Sequence, residues 1–136
     1  QRMSSEKPVL DASALLGYIY GEEEHGEVES ALRSGSLVTT LQLGEVYYIL
    51  LQEEGREKAR SALALLKNAD LEIVPVDEEL ALEAGEIKVR TGIPYADSLA
   101  AGLAKTTSGI LVTGDRDFAR LREGYEIEVN WVGVSE

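Results

Sequence analysis

The chain has 136 residues, a formal net charge of −12 at pH 7, a single histidine and no cysteine. That length fits one domain, which buries roughly 68% of its unfolded-chain surface and needs no staple. Without cysteine there can be no disulfide, zinc–thiolate site, iron–sulfur cluster or thiol nucleophile; with His25 alone, a zinc site made mainly of histidines is impossible and a Ser-His-Asp triad would have to use that residue.

Gln1 and Arg2 precede Met3, and residues 1–5 are expected to be a disordered or vector-derived tail ahead of one domain over residues 6–136. Val9-Leu10 is a strand candidate. Ala12 to Tyr20 and Glu24 to Arg33 read as helices broken by Gly21 and Gly35. His25, among Glu22, Glu23, Glu24 and Glu27, is expected at the surface, and those acids with Glu29 are expected on an exposed helix face. Ser36 to Thr39 is a second strand, and Thr40 is the expected cap of a helix from about Leu41 to Glu54, stopped by Gly55. A helix from Arg56 to Asn68 and a strand from Leu71 to Val74 follow.

Asp77 is expected to cap a helix from Glu78 to Arg90 ending near Gly92, and Pro94 suits the first turn of a helix reaching Lys105. Ile110 to Val112 is a strand buried on both faces, followed by a short helix near Phe118 and a last strand on which Ile127, Val129 and Trp131 alternate. Strand–helix units of this length predict a three-layer α/β/α sandwich around a mainly parallel sheet of about five strands. Ligand sites in such sheets lie outside the carboxyl ends of the strands. No apolar run approaches the ~20 residues that span a bilayer, and no signal peptide is visible, so the protein is expected in the cytoplasm with no membrane role.

Four acids stand where folding alone does not ask for them. Asp11 closes Pro8-Val9-Leu10, Glu45 interrupts the largely apolar stretch Leu41 to Leu51, Asp97 lies within Ile93 to Ala101, and Asp115 follows Gly109 to Val112. Each has a bland explanation. Asp11 can cap a helix, Glu45 can lie on a solvent stripe, Asp97 can complement a helix dipole, and Asp115 with Asp117 can form a turn. The i−4 and i+4 neighbours of Glu45 are Leu41 and Ile49, which argues for an apolar face rather than a solvent stripe. Strand-end geometry can bring all four acids to one place, and a buried carboxylate is costly without a partner. Together they point to a divalent cation, and oxygen-only ligands select Mg²⁺ or Mn²⁺ and thereby phosphate chemistry. No phosphate-binding glycine loop is present. The net charge of −12 argues against a broad electrostatic nucleic-acid surface and fits an acidic pocket or a basic partner.

The motifs Val9-Leu10-Asp11-Ala12-Ser13, Leu41-Gln42-Leu43-Gly44-Glu45-Val46, Tyr95-Ala96-Asp97-Ser98-Leu99-Ala100-Ala101 and Leu111-Val112-Thr113-Gly114-Asp115-Arg116-Asp117-Phe118 carry a resemblance over nearly the whole chain from about residue 8. Their order, and separations of 34, 52 and 18 residues between successive acids, make the set specific. The chain resembles the PIN domain, the fold of the VapC ribonuclease toxins. The resemblance implies a metal-dependent endoribonuclease that leaves a 5′-phosphate and a 3′-hydroxyl, paired with a small basic-tailed antitoxin and assembled as a homodimer. It also implies that Asp11, Glu45, Asp97 and Asp115 bind metal, Asp11 and Asp97 anchoring it while Glu45 and Asp115 complete the site and position water. Ser13 and Thr113 match hydroxyls that orient acids or waters, and Asp117 assists from behind. Arg116, Arg120, Arg122 and Lys105 are basic groups close to the acids in sequence and the candidates for RNA contacts, their bland reading being surface solubility.

Two rivals remain open on the sequence: a PIN-type RNA-processing or repair nuclease without antitoxin, and a non-catalytic PIN-like subunit, against which the four intact acids argue. A toprim nuclease would leave Asp11 and Asp97 unexplained, and a receiver domain would want a strand-end lysine near the pocket.

Overall fold

A computed structural model describes residues 7–22, 25–123, 125 and 127–133, without the side chains of Arg122 and Glu123. The expected tail, residues 1–5, lies outside them, as do Glu23 and Glu24. The elements follow in chain order as β1 (Pro8–Leu10), α1 (Ala12–Ile19), α2 (Gly26–Ser34), β2 (Ser36–Thr39), α3 (Thr40–Glu54), α4 (Arg56–Lys67) and β3 (Leu71–Val74). Then come α5 (Glu78–Thr91), α6 (Tyr95–Thr107), β4 (Ile110–Thr113), a 3₁₀ turn (Arg116–Glu123) and β5 (Glu128–Trp131). The strands form one five-stranded parallel sheet in the order β3-β2-β1-β4-β5.

The strand order places the site. From β1 the chain steps outward to β2 and β3, then returns through α5 and α6 to lay β4 on the other side of β1. Right-handed crossovers that change direction put their helices on opposite faces of the sheet. Register shows the consequence. Val9 pairs with Leu37 and Leu111, and this row packs with the helices α5 and α6; Leu10 and Val112 pair one residue on and pack with α1 to α4. Alternation along the strands thus divides the apolar residues between two cores. Between β1 and β4 the strand order reverses, and the carboxyl ends flanking such a reversal open into a crevice.

Helix caps match the expected chemistry. Asp77 Oδ1 accepts from the Leu80 N–H at 2.9 Å, and Gly92, in the left-handed region at φ 81°, ends α5 so that Pro94 can open α6. One cap differs. Thr39, not Thr40, caps α3, its hydroxyl accepting from the Gln42 N–H at 3.0 Å. Thr39 ends β2 in extended backbone, as a cap requires, while Thr40 is already helical.

His25 contradicts the surface expectation. It is 6% exposed, although Glu22, Glu27 and Glu29 beside it are exposed as expected. The reason lies in two glycines remote in sequence. A Cβ on Gly17 of α1 would stand 2.2 Å from His25 Nε2, and a Cβ on Gly133 would stand 2.3 Å from Cε1. The ring fills a slot that exists because both positions lack side chains, so charged local composition does not decide its burial. Gly17→Ala ought to gain helix propensity of about 1 kcal/mol and lose more to overpacking, because Gly133 blocks the ring's retreat. The expected net result is about 1–2 kcal/mol of destabilisation, read as a lower midpoint in urea with an unchanged slope.

Candidate metal centre

Four separate elements deliver the four acids to the carboxyl-terminal edge of the sheet. Asp11 ends β1 and caps α1, Glu45 lies in the second turn of α3, Asp97 in the first turn of α6, and Asp115 just beyond β4. Asp11 is 2% exposed and firmly held. Its Oδ1 accepts from the Ala14 N–H at 2.9 Å and the Ser13 hydroxyl at 2.8 Å, and its Oδ2 accepts from the Thr113 hydroxyl at 2.5 Å. The capping role expected of Asp11 is therefore present, in a residue that also stands at the carboxyl edge of the sheet.

Ser13 and Thr113 have one hydroxyl proton each, and both protons point at Asp11. The 3.2 Å approach between the two hydroxyl oxygens is then a contact rather than a third bond. Each oxygen also accepts a backbone donor from the next turn, Ser13 from the Gly114 N–H at 3.0 Å and Thr113 from the Asp115 N–H at 2.9 Å. Donors behind a hydroxyl polarise it toward its own acceptor. This places Asp115 by its backbone, and Asp115 Oδ1 in turn accepts from the Asp117 N–H at 3.0 Å, the turn-forming bond expected of that pair.

The electrostatics tie the acids together. Burial raises the Asp11 carboxyl above its ordinary range despite its three hydrogen bonds, and Asp115 adds to the rise. Burial and the charge of Asp11 raise Glu45. Asp97 is pushed up to about 7, first by burial and then by repulsion from Asp115, Asp11, Glu45 and Asp117. Among the described residues no three acids are drawn together as a ready-made ion cage. They stand within electrostatic reach of one another.

Sequence position did not foresee every environment. Only Asp11 is fully buried; Glu45, Asp97 and Asp115 are half-buried. The face of α3 that carries Glu45 is apolar but borders solvent, with Leu41 38% and Tyr48 51% exposed, while Gln42, Val46 and Leu50 form the buried side. Lys105 does not join the acids. It lies in the last turn of α6, about 12 Å along the axis from Asp97, and pairs with Glu83 at 2.9 Å. Arg116 and Arg120 are exposed on the turn after Asp115. Arg116 stacks over Trp131 at 4.9 Å, and Arg120 donates to the Gly92 carbonyl at 3.2 Å. The Arg122 side chain lies outside the described residues.

Gln42 escaped the sequence reading. It is buried, its Oε1 accepts from the Ala12 N–H at 2.6 Å, and its Nε2 donates to the Ala96 carbonyl at 2.7 Å. Its one sequence signal is an amide in an otherwise apolar first turn, three residues before Glu45.

The family profile described as PIN domain matches residues 9–124, and the chain belongs to that family. No curated protein matches it. Among solved structures it is similar to VapBC2 from Rickettsia felis bound to a promoter DNA fragment, with 18% identity, TM-score 0.75, and 92% of this chain and 98% of that one covered. It is similar to DNA-bound VapBC from Salmonella typhimurium, with 20% identity, TM-score 0.73 and coverage of 92% and 97%. It is also similar to Mycobacterium tuberculosis VapC20, described as a sarcin-ricin loop cleaving toxin, with 17% identity, TM-score 0.72 and coverage of 88% and 96%.

A raised carboxyl binds its proton more tightly in the folded chain, so ionising it costs stability. For Asp97 that cost is absent below pH 3.8 and complete once the pH passes about 7. Asp97→Asn is expected to match the metal-free parent at pH 4 and to exceed it by about 1 kcal/mol at pH 8, the value being small because solvent screens a half-buried group. Denaturant melts of both proteins at the two pH values measure the difference.

Proposed function

We propose that the chain is a divalent-cation-dependent endoribonuclease and the toxin of a toxin–antitoxin pair. The observation that carries the reading is the convergence of Asp11, Glu45, Asp97 and Asp115 on one strand-end crevice, with the Asp97 carboxyl pushed to about 7 by burial and its neighbours. The four acids offer carboxylate oxygens, which suit Mg²⁺ or Mn²⁺. Asp11 and Asp97 would hold the ion, with Glu45 and Asp115 completing the set. A bound ion of this kind supplies Lewis-acid polarisation of a phosphate oxygen and a water of lowered pKa.

The chain's own residues supply the remainder. Ser13 and Thr113 orient Asp11, and the Asp117 N–H steadies Asp115. Arg116 and Arg120 extend positive charge beside an acidic crevice, where RNA phosphates can be met without a broad basic surface. Arg122 belongs to the same turn and stays a candidate by position, while Lys105 is too remote. The ribonuclease reading draws support from the sarcin-ricin loop cleavage named for VapC20, and the toxin reading from the VapBC complexes. The partner would be a small antitoxin with a basic segment, seated where exposed Leu41 and Tyr48 flank Glu45. The active unit would be a cytoplasmic homodimer; among the described residues no helix is long and apolar enough to cross a membrane.

Cleavage of structured RNA in Mn²⁺ is expected to leave 5′-phosphates and 3′-hydroxyls and to stop in EDTA. End analysis showing 2′,3′-cyclic phosphates would overturn the hydrolytic reading. Because Asp97 must lose its proton to serve a cation, Mn²⁺ affinity should fall about tenfold for each pH unit below about 7. Calorimetric titration from pH 5 to pH 8 checks the slope, and a flat profile removes Asp97 from the site. Binding of the basic partner should weaken as salt rises and weaken further in Glu45→Gln, which alters no apolar contact. A titration at two salt concentrations reads both effects, and equal binding by the parent and the variant would separate the partner from the acids.

A further inference from the structure

The acids come from elements that share no covalent proximity, yet one side chain touches the backbone beside two of them and precedes a third. Gln42 lies in the first turn of α3, its N–H fixed by the Thr39 cap. Its Oε1 accepts from Ala12, next to Asp11, at 2.6 Å. Its Nε2 donates to Ala96, next to Asp97, at 2.7 Å. Glu45 follows three residues later, in the next turn of α3, so the helix backbone ties its position to that of Gln42.

We propose that Gln42 is a positioning residue whose single amide spans α1, α3 and α6 and sets the spacing of Asp11, Glu45 and Asp97. This rests on the cation site proposed above. The amide has one possible orientation, because the Ala12 N–H must meet the oxygen and the Ala96 carbonyl must meet the nitrogen. The bond to Ala12 also completes the start of α1: the Asp11 carboxylate serves the Ala14 N–H, and Gln42 serves the Ala12 N–H, one of the donors a helix start leaves open. A residue that merely filled space would be apolar here, since a buried amide is costly unless both ends are bonded. Four carboxylates that repel one another need a neutral linker to hold their spacing before a cation arrives, and an amide supplies donor and acceptor without further charge.

The test uses the whole chain as Gln42→Met, which keeps length and loses both bonds, and as Gln42→Asn, which stays polar but is one methylene too short to reach both partners. Leu66→Ala, in the core beneath α4, serves as a remote destabilised control. Mn²⁺ affinity is measured by calorimetry well below each melting temperature, and exchange of the Ala12 amide by NMR. Both Gln42 variants should bind Mn²⁺ about 10- to 100-fold more weakly, the usual effect of losing a partner behind a ligand. Ala12 should lose its protection in both, while the control keeps parental affinity. Parental affinity in either folded Gln42 variant overturns the proposal, as does equal weakening in the control. If the parent itself binds no Mn²⁺, the cation site fails. The spanning role is then decided by Ala12 exchange and the Asp97 amide shift, and an unchanged pair of signals overturns it too. Should Gln42→Met not fold, Gln42→Asn carries the same outcomes.

Discussion

The hydroxyl of Thr113 donates to Asp11 Oδ2 across the one place where the strand order reverses. That bond joins the carboxyl ends of β1 and β4, strands separated by about a hundred residues of chain, and much of the crevice is organised around it. Ser13 repeats the motif from α1, and the two hydroxyls accept the backbone donors of Gly114 and Asp115. A carboxylate buried without such support would cost several kcal/mol and would neutralise itself instead. With it, Asp11 becomes the fixed point from which the other acids take their distances.

Around that point the chain gathers its four acids. The ion pairs of the described residues lie elsewhere, between Glu29 and Arg33, Glu54 and Lys58, and Glu83 and Lys105. The crevice acids are left facing one another, and the Asp97 carboxyl is pushed up to about 7. Burial combined with like charges is an arrangement met at working sites, and it supports the proposed cation site. Stability is given up locally where a positively charged ligand can restore it. Under the proposed function, a protein with a net charge of −12 would meet RNA through the few arginines on the turn after Asp115 and through a bound cation, rather than through a broad basic surface.

Much of this was legible in the sequence because the signals were local. Short apolar runs ending in Thr39, Val74 and Thr113, alternating with capped helices, specify parallel strand–helix units, and acids at strand ends specify their edge. What was not legible depended on partners far away in the chain. His25 is buried because Gly17 and Gly133 leave room, although its neighbours in sequence are charged. Lys105 is near Asp97 in number, yet a helix turns that separation into distance, and Glu83 from α5 claims it. The face of Glu45 reads as buried by composition, but among the described residues no element covers Leu41 and Tyr48 fully. Gln42 is a single amide without a motif, and its meaning appears only when Ala12 and Ala96 arrive on either side.

The most direct measurement is a crystal structure of the full chain soaked in Mn²⁺, with the ion located by its anomalous scattering. The account predicts a strong peak in the crevice between the ends of β1 and β4, within coordination distance of Asp11 and Asp97, and its absence from Asp97→Asn crystals. A crevice without Mn²⁺ at saturating concentration, or a peak that persists unchanged in the Asp97→Asn crystals, would contradict it.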